Sequence, residues 1–173
     1  HWDKTWIAAV FSVPQEQKKL RYKFRKKLTA YRFAPFYPGF WIKPFHPKEK
    51  TIQALESFCE TDFFSLIKFS HIKELSKEKV NKLWDLEEKT KRMNESITML
   101  DKELRCLKEL SPEKAFYKRY FIGNLVIPIL GSDPLLPEIF LPVDWKAKKL
   151  RELFFLWDKR VSAYSKIFWE KAF

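Results

Sequence analysis

The spacing of apolar positions changes character along the chain. Thr5–Val13 (TWIAAVFSV) is an unbroken β-rich apolar run stopped by Pro14, the pattern of a central strand buried on both faces. Gln15–Arg32 carries Leu20, Phe24, Leu28 and Tyr31 at intervals of four, four and three. That spacing is one face of a helix, and its other faces are crowded with Lys and Arg. Phe33–Phe45 (FAPFYPGFWIKPF) is aromatic and interrupted by Pro35, Pro38 and Pro44, which predicts an edge or a turn-and-strand unit and not a mid-sheet strand. After Pro47, Lys48–Phe58 sets Ile52, Leu55 and Phe58 on one side of a second helix, and Asp62–Phe69 (DFFSLIKF) returns to a strand. Strand, helix, strand, helix, strand in this order predicts an α+β plait of the ferredoxin-like type. Both helices are expected to cross one sheet face by right-handed connections.

The chain then turns helical and charged. Ser76 is a candidate N-cap. Leu83, Leu86, Thr90, Met93, Ile97, Leu100, Leu104 and Leu107 follow at alternating intervals of three and four, an uninterrupted seam that ends at Ser111-Pro112. Such a seam can join two chains as a coiled coil or pack inside one chain; the matching apolar face of the last helix favours the second. A further helical region, Glu113–Leu130, leads into a connector from Gly131 to Val143 with three Pro in thirteen residues. Proline stiffens that segment, which reads either as a strap pinning the last helix, the favoured reading, or as a ligand-gating loop. Asp144 is the expected N-cap of that helix, with Leu150, Leu153, Trp157, Val161, Tyr164 and Phe168 on one face. The predicted organisation is a plait over residues 1–72 followed by a helical domain over 73–173.

Charge narrows the partners. Among 173 residues, 34 Lys and Arg against 22 Asp and Glu give a net charge of +12, which predicts attraction to polyanions: nucleic acid, anionic lipid or a phosphate-bearing ligand. Only three Gly are present, too few for a glycine-rich phosphate loop. Cys59 and Cys106 stand 47 positions apart with no CxxC pair, a usage that suits a reducing compartment and predicts a cytoplasmic protein. His1, His46 and His71 have no ligand-spaced neighbours, so no metal site is expected. The longest apolar run, Phe121–Leu130, is broken by Gly123, Asn124 and Pro128 and is about half the length that spans a bilayer, so no membrane partner is expected. The first residue is His1, and the chain is expected to continue upstream of it.

Two constellations carry candidate chemistry. The first helix holds Lys18, Lys19, Arg21, Lys23, Arg25, Lys26, Lys27 and Arg32 with Glu16 as its only carboxylate. Like charges at this density destabilise a helix unless a polyanion answers them. They read either as phosphate contacts or as the solvated face of a basic protein. Tyr37, Trp41 and Lys43, with Phe36, Phe40 and Phe45 nearby, combine rings with a cation; this is either a stacking platform or strand aromatics packed beneath helices. No Ser-His-Asp or Cys-His arrangement has motif spacing, so no catalytic residues and no enzyme activity are expected.

Three stretches resemble one family, the phenylacetic acid degradation repressors (PaaX-type transcriptional regulators). Trp2-Asp3-Lys4-Thr5-Trp6 leading to Phe11-Ser12-Val13-Pro14 is similar to the family's WDxxW … FDIP start. Tyr37-Pro38-Gly39-Phe40-Trp41-Ile42 is similar to its PGxW segment, and Leu83-Trp84-Asp85-Leu86 falls in its expected place. Asp133-Pro134-Leu135-Leu136-Pro137-Glu138 with Leu141-Pro142-Val143-Asp144-Trp145 is similar to its DPLLPxxLLPxDW element. The resemblance runs from about Trp2 to Phe168. It implies the central and C-terminal domains of a homodimeric repressor in phenylacetic acid catabolism. DNA would be bound through a winged helix-turn-helix N-terminal to this chain, and an aryl- or acyl-CoA thioester would act as effector, with no other cofactor. The plait also resembles the small nuclease subunit of CRISPR adaptation complexes, so a ferredoxin-like nucleic-acid-binding scaffold or degraded nuclease is the alternative. Ser12 departs from both relatives, which usually carry Asp at the end of the first strand; a hydroxyl does not hold a divalent cation as a carboxylate does. Gly123–Pro128 departs from the Arg-rich approach that the family implies before the DPLLP element.

Overall fold

The structure, a computed structural model, describes residues 2–46, 50–73, 75–107 and 110–172, with the side chains of 168–172 excepted. The chain forms two compact units: residues 1–85 with 134–141, and residues 86–133 with 142–173. The change of composition at 72/73 thus precedes the division between units, which falls at Asp85/Leu86.

In the first unit β1 (Trp6–Phe11), β2 (Ala34–Tyr37), β3 (Phe40–Pro44) and β4 (Phe64–Phe69) make one sheet in the order β2-β3-β1-β4. Every neighbouring pair is antiparallel. Helices α1 (Lys18–Ala30) and α2 (Thr51–Cys59) connect the strands, giving the ferredoxin-like order expected of the sequence. β1 is central, and Ala9 lies opposite Trp41 on one side and Leu66 on the other. Ile7, Ala9 and Phe11 pack with Phe24, Leu28, Leu55, Phe58 and Phe64 in the core beneath the helices. Full burial of each Ile, Leu or Phe side chain among them contributes about 1.5–3 kcal/mol. The lead-in to α2 at Pro47-Lys48 lies outside the described residues.

The proline-punctuated segment needs correction at one point. β2 is the edge strand and holds Pro35, but β3 sits inside the sheet between β2 and β1. Pro38 and Gly39 lie in the turn between the two strands, and Pro44 closes β3 opposite Trp6, the first residue of β1. None of the three prolines therefore interrupts the middle of a ladder.

On the opposite face of the sheet, Trp6 meets Trp2 (ring centroids 5.2 Å), Phe140 (5.7 Å) and Trp84 (6.5 Å). Trp84 ends α3 (Lys77–Trp84), whose N-cap Ser76 accepts a hydrogen bond from the Lys79 N–H at 3.2 Å. Phe140 belongs to a short 3-10 turn, Glu138–Phe140, in the proline-rich connector. The connector segment 134–141 is thus part of the first unit.

The seam is not continuous. Asp85 takes a left-handed conformation (φ 52°) and separates α3 from α4 (Leu86–Arg105). Leu83 therefore leaves the stripe. Met93, Ile97, Leu100 and Leu107 pack with Ala115, Ile122 and Val126 of α5 (Pro112–Gly131) and with Leu150, Phe154, Trp157 and Val161 of α6 (Ala147–Ala172). The seam is accordingly buried within the chain. Ser111 caps α5 by accepting from the Lys114 N–H at 3.3 Å. Asp144 is not the cap of α6: the helix begins at Ala147, the Leu150 N–H donates to the Lys146 carbonyl, and Asp144 lies in the preceding turn.

Candidate anion-binding site

α1 rests on the sheet through Phe24 and Leu28, both fully buried. With those two positions fixed, the basic residues are sorted by the helical period. Lys18, Lys19, Lys23, Arg25 and Lys26 are exposed, while Arg21, Lys27 and Arg32 are half-buried. The Lys23 ammonium lies 5.6 Å from the Phe58 ring centroid and that of Lys27 5.2 Å from Tyr31. Arg32 is set apart beyond the helix end: its φ is 67°, and its carbonyl accepts the Trp84 indole N–H at 3.0 Å. The candidates are therefore one basic helix surface with Arg32 in a separate place.

Arg21 and Arg25, one helical turn apart, face a cleft of about 700 Å³. Its floor is the end of β1 (Phe11, Ser12, Val13), and its far wall is the β2–β3 hairpin with Phe36, Tyr37, Gly39 and Trp41. The Arg21 guanidinium is steered by a 2.7 Å hydrogen bond from Nη2 to the Val13 carbonyl. None of the lining residues is acidic. The hairpin is held in place from β1, since the Phe11 N–H donates to the Gly39 carbonyl at 2.7 Å. Ser12 N–H donates to the Phe63 carbonyl at 3.0 Å and the residue is exposed, so its hydroxyl lies at the cleft and not in the core.

Of the three platform candidates, Tyr37 is exposed and Trp41 is buried, and both line the cleft. Lys43 is elsewhere. It is only 3% exposed, donates from Nζ to the Thr51 hydroxyl at 3.3 Å, and lies 5.7 Å from the Phe33 ring centroid. β3 is an inner strand, so its helix-facing positions are core positions, and Lys43 is a structural cation there. Phe11, Ser12 and Val13 are the cleft residues that the pattern of rings and cations did not single out together. Their signal was the turn after β1, which has to pass the hairpin tip before α1 begins.

No group of three or more His, Cys, Asp or Glu side chains that could hold a metal ion occurs among the described residues. No helix among them is long and apolar enough to cross a membrane.

A family model for the PaaX protein central, Cas2-like domain matches residues 1–80, and one for the PaaX-like protein C-terminal domain matches residues 82–171. The chain belongs to the PaaX family. Its two domains are those of a PaaX-type regulator, which points to a regulatory and not a catalytic protein. The structure is similar to that of an uncharacterised protein from Mycobacterium tuberculosis, with a TM-score of 0.67 at 16% identity. That similarity covers 96% of this chain, which spans 64% of the mycobacterial chain, and it bears on the fold alone. No curated protein matches the chain. The cleft lies wholly within the match to the PaaX central domain, whereas segment 134–141 falls in the match to the C-terminal domain.

Proposed function

We propose that this chain is the effector-binding and dimerisation portion of a PaaX-type transcriptional repressor acting in the cytoplasm. Its cleft would take an aryl- or acyl-CoA thioester. The observation that carries the reading is the cleft itself: two guanidinium groups, aromatic walls and no carboxylate. Guanidinium forks pair with phosphate oxygens through two parallel hydrogen bonds, and aromatic faces accept a flat ring. The volume lies within the roughly 300–1,000 Å³ of small-molecule sites. Ser12 at the floor adds a hydroxyl where a carboxylate would repel phosphate, which suits binding and not metal-dependent cleavage. In this reading DNA is held by a domain N-terminal to the chain, and effector binding releases it by favouring the dimer geometry that fits DNA poorly. Release therefore requires a difference in effector affinity between two states.

Calorimetry with a panel of acyl-CoA thioesters tests the proposal. We expect a saturable heat with at least one aryl-acyl member and a loss of about tenfold or more in Arg25→Ala, since a charged hydrogen bond is worth about 1.5–3 kcal/mol. No heat from any member of the panel would end the effector reading. A second reading, phosphate contacts of α1 with nucleic acid, is favoured by the exposure of Lys18, Lys19 and Lys26, none of which lines the cleft.

A further inference from the structure

The C-terminal unit exposes a helix side that its own composition does not explain. From Tyr120 to Ser132, thirteen consecutive residues of α5 and its end carry no charge. A helix apolar all round is normally buried all round. Here Ile122, Val126 and Ile129 face the core, yet Tyr120 is 73% exposed, Phe121 65%, Ile127 58% and Leu125 43%. At 100° per residue these four positions, with Asn124 and Pro128 between them, fall in an arc of about 160° on one side of the helix. Beside it runs a groove of about 340 Å³, lined in part by Tyr120, Gly123, Ile127 and Phe154. Phe155, also exposed, has its ring 6.2 Å from that of Phe154.

We propose that this side of α5 is the contact surface between two copies of this chain. It deepens the dimeric reading above by naming the surface. Charge selects the occupant. A molecule of net charge +12 repels its own copy over most of its surface. Here two cations of α5 are paired within the fold: the Lys118 ammonium lies 2.6 Å from the Glu103 carboxylate, and Arg119 Nε 2.7 Å from that of Asp158. The exposed rings and aliphatic side chains together offer on the order of 600–700 Å², near the ~800 Å² per partner of a stable interface and at or above the largest patch of a typical monomer. Gly123 supplies the fit. A Cβ there would meet only the Ile127 Cδ1, at 3.8 Å, so the groove keeps an open notch beside the α5 backbone. A two-fold axis through that notch would pair each apolar side with itself, as an isologous contact requires.

Sedimentation equilibrium of the whole 173-residue chain decides the matter. The expected result is a dimer at micromolar concentration that tightens as salt rises, because salt screens like-charge repulsion without weakening apolar burial. Phe121→Glu and Ile127→Lys are each expected to weaken it at least tenfold while the helical circular dichroism stays at the parent value. A dimer that both substitutions leave intact would overturn this surface and spare the dimeric repressor reading. A chain monomeric at every concentration would overturn both, and flotation of that monomer with anionic vesicles would assign the apolar side to lipid. None of these outcomes touches the effector reading, which calorimetry tests separately.

Discussion

A methyl group at position 39 would sit 2.3 Å from the Phe11 carbonyl oxygen, and the backbone there has φ +74°. Glycine alone meets both demands, the conformation and the approach. Gly39→Ala is expected to lose roughly 2–3 kcal/mol, seen as a lower urea midpoint, because a left-handed residue and a backbone clash are combined; an unchanged midpoint would contradict the turn geometry. The Pro38-Gly39 turn was legible in the sequence as a turn signal. Its hydrogen bond to the end of β1 was not, since that depends on sheet register. Lys43 shows the same limit. Beside Tyr37 and Trp41 it read as a possible binding cation, and only the position of β3 inside the sheet turns it inward to Thr51. Arg21 and Arg25, in contrast, were legible as candidates for phosphate contact, although their convergence with Tyr37 and Trp41 on one cleft was not.

Among the elements, α1, β1 and β4 follow from apolar spacing, whereas the proline-punctuated segment reads as one unit and holds both β2 and β3. The α3–α4 junction does not follow from spacing, since the three-and-four rhythm runs straight through Asp85 while the backbone reverses hand there. Periodicity reports which residues are apolar; it is silent about a single residue leaving helical conformation. Ser76 was readable because capping is local. Ser76→Ala should cost about 1 kcal/mol of stability, with Ser76→Asp close to the parent, both by thermal denaturation; equal stability of all three would mean that the cap contributes nothing. α5 was legible as a helix over Glu113–Leu130 and is observed over Pro112–Gly131, but nothing in the spacing distinguishes burial inside the chain from burial against another molecule.

At the level of the whole molecule, the charge excess and the motif at Asp133–Trp145 carried most of what the sequence disclosed: a basic regulator with a plait and a helical domain. The charge also sets a measurable expectation for polyanions. If four of the α1 cations reach phosphates of single-stranded or duplex DNA, log affinity should fall with log salt at a slope of about −2.8 to −3.6. A slope near zero in a fluorescence titration would remove nucleic acid as a partner of α1.

Segment 134–141 lies in the first unit while the residues on either side of it lie in the second. The chain consequently passes between the units three times, at Asp85, Asp133 and Leu141. No single cut of the gene releases either half whole. A fragment stopping at Asp85 would leave Trp2 and Trp6 without the Phe140 ring that closes over them, and a fragment starting at Leu86 would carry that ring with nothing to cover. Recombination that shuffles the two halves separately is thereby penalised, and the pair must be inherited as one piece.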